Sequence, residues 1–122
     1  YDRMRALQCW YRTQRNVTAW VAGVHGYLES KDEQVRKECR SLLKEMVLDE
    51  IENTKALLNL WETSGTNWMI ISDVGETTFI YYKNIGDLMK KKISLMTGHE
   101  NDEPYVDANF QWRVPDLTAD KR

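Results

Sequence analysis

Two groups of acidic and aromatic residues come closest to a chemical site in this sequence. Trp61, Glu62, Trp68, Asp73 and Glu76 fall close together, as do Glu103, Tyr105, Asp107 and Trp112. Flat aromatic faces edged by carboxylates are what a sugar or a cationic ligand requires. The rings stack, and the acids accept hydrogen bonds or act as an acid–base pair. On this reading Trp61, Glu62, Trp68, Asp73, Glu103, Tyr105 and Trp112 bind a small ligand or carbohydrate. Glu76 and Asp107 are then the candidate catalytic carboxylates for hydrolysis. The competing reading has the rings filling the open end of a helical core, with solvated acids beside them. A Trp fluorescence titration against sugars and metabolites separates the two.

Other chemistries are poorly served. Glu45, Asp49, Glu50 and Glu52 invite a di-metal carboxylate reading, but such bundles need Glu-x-x-His pairs on facing helices. His25 and His99 are the only histidines, and neither lies three residues after a Glu. Cys9 and Cys39 have no histidine within a few residues, and Cys39 fits an apolar stripe as a small core residue. Asp73-Val74-Gly75 carries one glycine and no following Lys-Ser/Thr, so it is not a phosphate loop. Asn16-Val17-Thr18 is formally a glycosylation acceptor but falls inside a predicted helix. No metal or cofactor is expected.

Composition narrows the partners. The 122 residues are 42% hydrophobic and 30% charged, as in a single globular domain with a real core. Seventeen basic against nineteen acidic residues give a net charge of −2, which is no footprint for nucleic acid. Lys90, Lys91 and Lys92 read as cations complementing a helix dipole. No apolar run reaches the ~18 residues that a membrane span needs. Two unpaired thiols suggest a reducing, cytoplasmic location. A chain that opens on Tyr1 with a helical pattern already running suggests a domain excised from a larger protein, or a trimmed product.

The elements that must position these groups are helical. Met4, Leu7, Trp10, Tyr11, Val17, Trp20, Val21, Val24, Tyr27 and Leu28 recur at helical steps, predicting a helix over 2–29 that packs through this face. Gly23 and Gly26 either fray its last turns or admit a close neighbour, and fraying is the expectation. Ser30-Lys31-Asp32-Glu33 has capping-box form and starts a second helix over 31–64, stopped by Gly65. Its stripe runs through Val35, Cys39, Leu42, Leu43, Met46, Val47, Ile51, Leu57, Leu58 and Trp61. So short a link predicts an antiparallel hairpin in which facing residue numbers sum to about 61. Arg12 then faces Asp49, Arg15 faces Glu45 and Met46, Cys9 faces Glu52 and Cys39 faces Ala22. The thiols lie too far apart for a disulfide.

Residues 66–83 read as an irregular linker, with a small β-hairpin at 68–82 as the alternative. Asn84 to Asp87 begins a third helix over about 85–97. Pro104 and Pro115 bracket an extended segment. The fold class is therefore mainly α: a long hairpin, a shorter third helix and an extended C-terminal segment. One short helix cannot cover so long an apolar stripe. The expected function is a non-catalytic interaction or accessory domain, its partner a protein: a second copy, or the remainder of a larger chain.

Overall fold

The computed structural model describes residues 1–65, 70–71, 80–81 and 84–106. Helix α1 (Asp2–Glu29) and helix α2 (Glu33–Thr63) form the antiparallel hairpin. At the closed end Ser30, Lys31 and Asp32 join them. At the open end Ser64 Oγ donates to Asp2 at 2.6 Å, tying the end of α2 to the start of α1. Helix α3 (Ile85–Met96) packs on α2, beginning beside Trp61 and running back toward Glu50. Among the described residues no helix is long and apolar enough to cross a membrane.

The helix ends differ from expectation in their chemistry. Asp32, not Ser30, caps α2: its carboxylate accepts from the Gln34 amide at 2.8 Å. Ser30 instead turns the link, its Oγ accepting from the Asp32 amide at 3.0 Å. The capping box does not form, because an aspartate two residues on offers a charged acceptor that the helix dipole favours. Gly65 follows the end of α2 without adopting a left-handed conformation. Gly98, at φ +86°, does so just past α3.

Helix α1 keeps the predicted Val24 and Tyr27 in its buried face, but the rest of that face differs from the predicted one. The residues buried against its surroundings are Ala6, Cys9, Asn16, Gly23, Val24 and Tyr27, most of them small or polar. Met4 and Tyr11, both assigned to the buried stripe, are 68% and 69% exposed; Val17, Trp20, Val21 and Leu28 are also exposed. Small side chains win the interface because they let two long helices approach closely. A Cβ at Gly23 would lie 2.8 Å from Cγ and Cδ2 of Leu43, and one at Gly26 would lie 2.8 Å from the Cys39 sulfur. The glycines are contact points rather than frayed ends, and α1 continues unbroken past both.

Replacing Gly23 therefore sets two effects against each other. Alanine raises helix propensity by about 1 kcal/mol, while overpacking against a well-seated core side chain costs roughly 1–3 kcal/mol. Gly23→Ala is expected to lower stability by about 1 kcal/mol in urea melts. A more stable variant would mean that the helices can part freely at this point.

The register keeps to the simple rule at Arg12–Asp49 and, within one residue, at Cys9, then slips by about a turn toward the closed end. Cys9 faces Asn53, the neighbour of the expected Glu52, and the Asn53 amide donates to the Cys9 carbonyl at 2.8 Å. Cys39 faces Gly26 rather than Ala22, and Arg15 reaches Asp49 rather than Glu45. The two cysteines are free and occupy opposite halves of the hairpin. The core proper is short: Val24, Leu43 and Met46, with Ala19 and Val47 against them.

The β-hairpin at 68–82 is not supported. Ile70–Ile71 and Ile80–Tyr81 pair in parallel, whereas the strands of a hairpin run antiparallel. The rest of that stretch lies outside the described residues, as does the 107–115 part of the extended C-terminal segment. Residues 102–106 carry no regular structure and lie over the closed end of the hairpin. There Tyr27 donates its hydroxyl proton to Glu103, while Arg36 donates to the Tyr27 oxygen at 2.8 Å and stacks 4.4 Å above its ring.

Candidate functional site

Midway along the hairpin the apolar core gives way to a polar layer. From α1 come Arg12, Thr13, Arg15 and Asn16; from α2, Asp49, Glu50 and Asn53; from α3, Lys92. Glu50 is only 4% exposed, so its carboxylate needs partners in place of water. It accepts from Thr13 Oγ1 at 2.8 Å, from Asn16 Nδ2 at 2.7 Å and from Lys92 Nζ. Asn53, 1% exposed, donates to Thr13 Oγ1 at 3.0 Å, so amide, hydroxyl and carboxylate form one relay. Asp49, beside it at the surface, takes both nitrogens of the Arg12 fork, Arg15 Nη2 at 2.7 Å and Asn16 Nδ2 at 2.9 Å.

These partners fix the ionisation of both acids. The hydrogen-bonded Arg12 guanidinium lowers Asp49 from 3.8 to about 2, against a smaller opposing effect of burial. Burial alone would raise Glu50, but Lys92, Asn16 and Thr13 together outweigh it and hold it below its ordinary value. A general acid or base works best with a pKa near the operating pH. Two carboxylates held low and saturated with donors are structural anions. The Cys9 thiol is pushed up, chiefly by burial, and so has little thiolate character. Among the described residues no three His, Cys, Asp or Glu side chains converge as a metal ion requires.

A pH dependence follows. Both carboxylates are lower in the folded chain than in the unfolded one, so their contribution is complete above the unfolded values and is lost as the folded groups take up protons. Urea-melt stability is expected to be flat above about pH 5 and to decline between about pH 4 and 2. Stability that held or rose over that window would show the layer is not ionised as described.

Along the flank of the α1–α2 contact, with α2 as the floor, the surface is concave. Helices α1 and α3 both rest on α2 but stand apart from each other, leaving a groove of about 400 Å³ walled by Leu7, Trp10 and Tyr11 on one side and Ile85 and Leu88 on the other. Lys92 separates it from a second groove of about 380 Å³ bounded by Val17, Trp20 and Leu95. A third, of about 310 Å³, shares Trp20, Val47 and His99 with the second and reaches Val24 and Tyr105. Together they make a trough running from Leu7 to Val24, about 25 Å at the rise of a helix. Lys92, held by Glu50, is the charged crossing point between the first two grooves, and the far end of the trough is bordered by His99, Glu100, Asp102 and Glu103.

The acidic-aromatic groups are distributed differently. Trp61 stands half-buried at the open end, its Nε1 3.0 Å from where a Gly86 Cβ would be, and Glu62 pairs with Lys90 at 2.8 Å. Glu103 is bound to Tyr27 and lies 3.9 Å from Arg36 at the closed end, with Tyr105 exposed beside it. Arg36 and Trp61 are separated by about 38 Å of helix, so the described members of the two groups are not brought together. Trp68, Asp73, Glu76, Asp107 and Trp112 lie outside the described residues. The polar layer was missed at Asn16, Thr13, Asn53 and Lys92. Its signal in the sequence is the spacing of Ala6, Cys9, Thr13, Asn16, Gly23 and Tyr27, a second helical stripe of small and polar residues. No protein-family model matches the chain, and no curated protein or solved structure matches it.

Proposed function

We propose that this chain is a non-catalytic helical interaction domain that uses the uncovered apolar face of α1 and the trough beside it. The observation that carries this reading is the exposure of Met4, Tyr11, Val17, Trp20, Val21 and Leu28 along a single helix. Scattered apolar residues are ordinary on a protein surface, but Met4, Tyr11, Val21 and Leu28 share one face, with Val17 and Trp20 on its flank at the groove, and that is the form of a partner site. The polar layer supports the same reading. It fixes α1, α2 and α3 as a rigid unit, and a preorganised surface loses less entropy on binding. The partner is a protein: a second copy, or another domain of a larger chain.

Dilution in the presence of an apolar fluorescent dye tests this. From about 100 μM to about 0.1 μM the face should be either hidden in an assembly or stained by the dye, with assembly giving way to staining. A chain that stays monomeric and dye-silent throughout would end the proposal.

A further inference from the structure

The exposed lane on α1 carries a heptad. Met4, Leu7, Tyr11, Gln14, Thr18, Val21, His25 and Leu28 alternate at steps of three and four, the a and d positions of a coiled-coil seam. Cys9, Asn16 and Gly23 occupy the f positions, which are buried. The seam therefore faces away from α2, with Leu7 and Tyr11 on the trough wall.

Resting on the interaction-domain reading, we infer that the partner is a second copy of this chain, its α1 lying antiparallel along α1 across a two-fold axis near Asn16. In antiparallel pairing each a position meets a d position. About that axis every seam residue finds such a counterpart: Met4 the second copy's Leu28, Leu7 its His25, Tyr11 its Val21 and Gln14 its Thr18. The two layers flanking the axis, each a Gln14–Thr18 pair, are polar. Thr18 Oγ1 gives its proton to the Gln14 carbonyl at 3.0 Å, which leaves its oxygen to accept from the second copy's Gln14 amide. Polar layers at the centre of a seam fix register and orientation at a cost in stability.

Charge points the same way. Arg3 and Arg5 stand at one end of α1 and Glu29, 78% exposed, at the other. An antiparallel arrangement brings arginines toward the glutamate at both ends, whereas a parallel one stacks like on like. Area is sufficient too. Met4, Tyr11, Val17, Val21 and Leu28 offer on the order of 500 Å² per copy, so that a pair reaches the ~1,000 Å² that a specific interface needs. Leu88 and Leu95 of α3 widen the contact along the trough.

Disulfide trapping in the full 122-residue chain tests the geometry, in a Cys39→Ser background because Cys9 is buried. Met4→Cys and Leu28→Cys proteins are expected to cross-link to each other when mixed and neither to itself. A Met4→Cys chain that cross-links to itself would overturn the antiparallel pairing. If nothing cross-links and sedimentation gives a monomer at all concentrations, the second copy is excluded. Apolar dye then separates the two claims. A monomer whose dye binding falls several-fold on Tyr11→Glu keeps the surface as a site for a different protein, whereas a dye-silent monomer removes both.

Discussion

Glu50→Ala is expected to cost the chain about 3 kcal/mol of stability and to release α3 from the hairpin. The cost comes from what is left behind rather than from what is removed. Lys92, Thr13 and Asn16 all donate to this buried carboxylate, Lys92 reaching it from the groove. Deleting it leaves the Thr13 hydroxyl without its acceptor and Lys92 without its counter-charge, while Asn16 keeps only its bond to Asp49. Removing a buried carboxylate that accepts three hydrogen bonds is more costly than losing an exposed ion pair such as Lys55–Glu52. Replacing both ends, Glu50→Leu with Lys92→Met, should recover part of the loss, because apolar side chains then fill the layer and no unpaired ammonium borders it. Chemical denaturation of the two single variants and the double variant gives the coupling directly. Equal stability of Glu50→Ala and the parent chain would mean that Lys92 turns to solvent and the layer does not hold α3.

The second large effect falls on association and leaves folding untouched. Val21→Glu places a carboxylate in the layer opposite the second copy's Tyr11. In a two-fold assembly each substitution is felt twice, once in each symmetry-related layer. At a cost of about 1.4 kcal/mol or more per layer, self-association should weaken at least about 100-fold. Val21 is 44% exposed in the single chain, so the isolated fold has little to lose from this change. A thermal melt at low concentration should match that of the parent. Loss of folding without loss of association would reverse the roles assigned to the two faces of α1.

Those two faces also mark how far the sequence could be read. Helix α2 was legible in its extent and in Leu43, Met46 and Ile51, because a buried apolar stripe announces itself. Helix α1 was legible in extent and at Val24 and Tyr27, but not in the rest of its buried face. Its strongest apolar stripe is the exposed one, while the buried face uses Ala6, Cys9, Asn16 and Gly23, residues a hydrophobicity pattern passes over. Close approach and hydrogen bonding decided that face. Both depend on which residues of α2 lie opposite, and local spacing alone does not carry that information.

The polar layer was hidden for a related reason. Asp49 and Glu50 were visible as carboxylates, and Arg12 was expected beside Asp49. Lys92, however, comes from a helix more than forty residues away in the chain. Among lysines 90 to 92, only the fold distinguishes the one that reaches inward. The cap of α2 failed on a finer scale: Ser30 and Asp32 both fit a helix start, and the turn geometry chose the second. More apolar surface on α1 is uncovered than the predicted face allowed.

Sedimentation equilibrium of the parent chain beside Val21→Glu tests the central claim most directly. The parent should move from 14.4 kDa toward twice that mass as its concentration rises through the micromolar range, and Val21→Glu should remain at 14.4 kDa over the same range. A parent chain that stays at 14.4 kDa throughout, or two chains that associate equally, would contradict it.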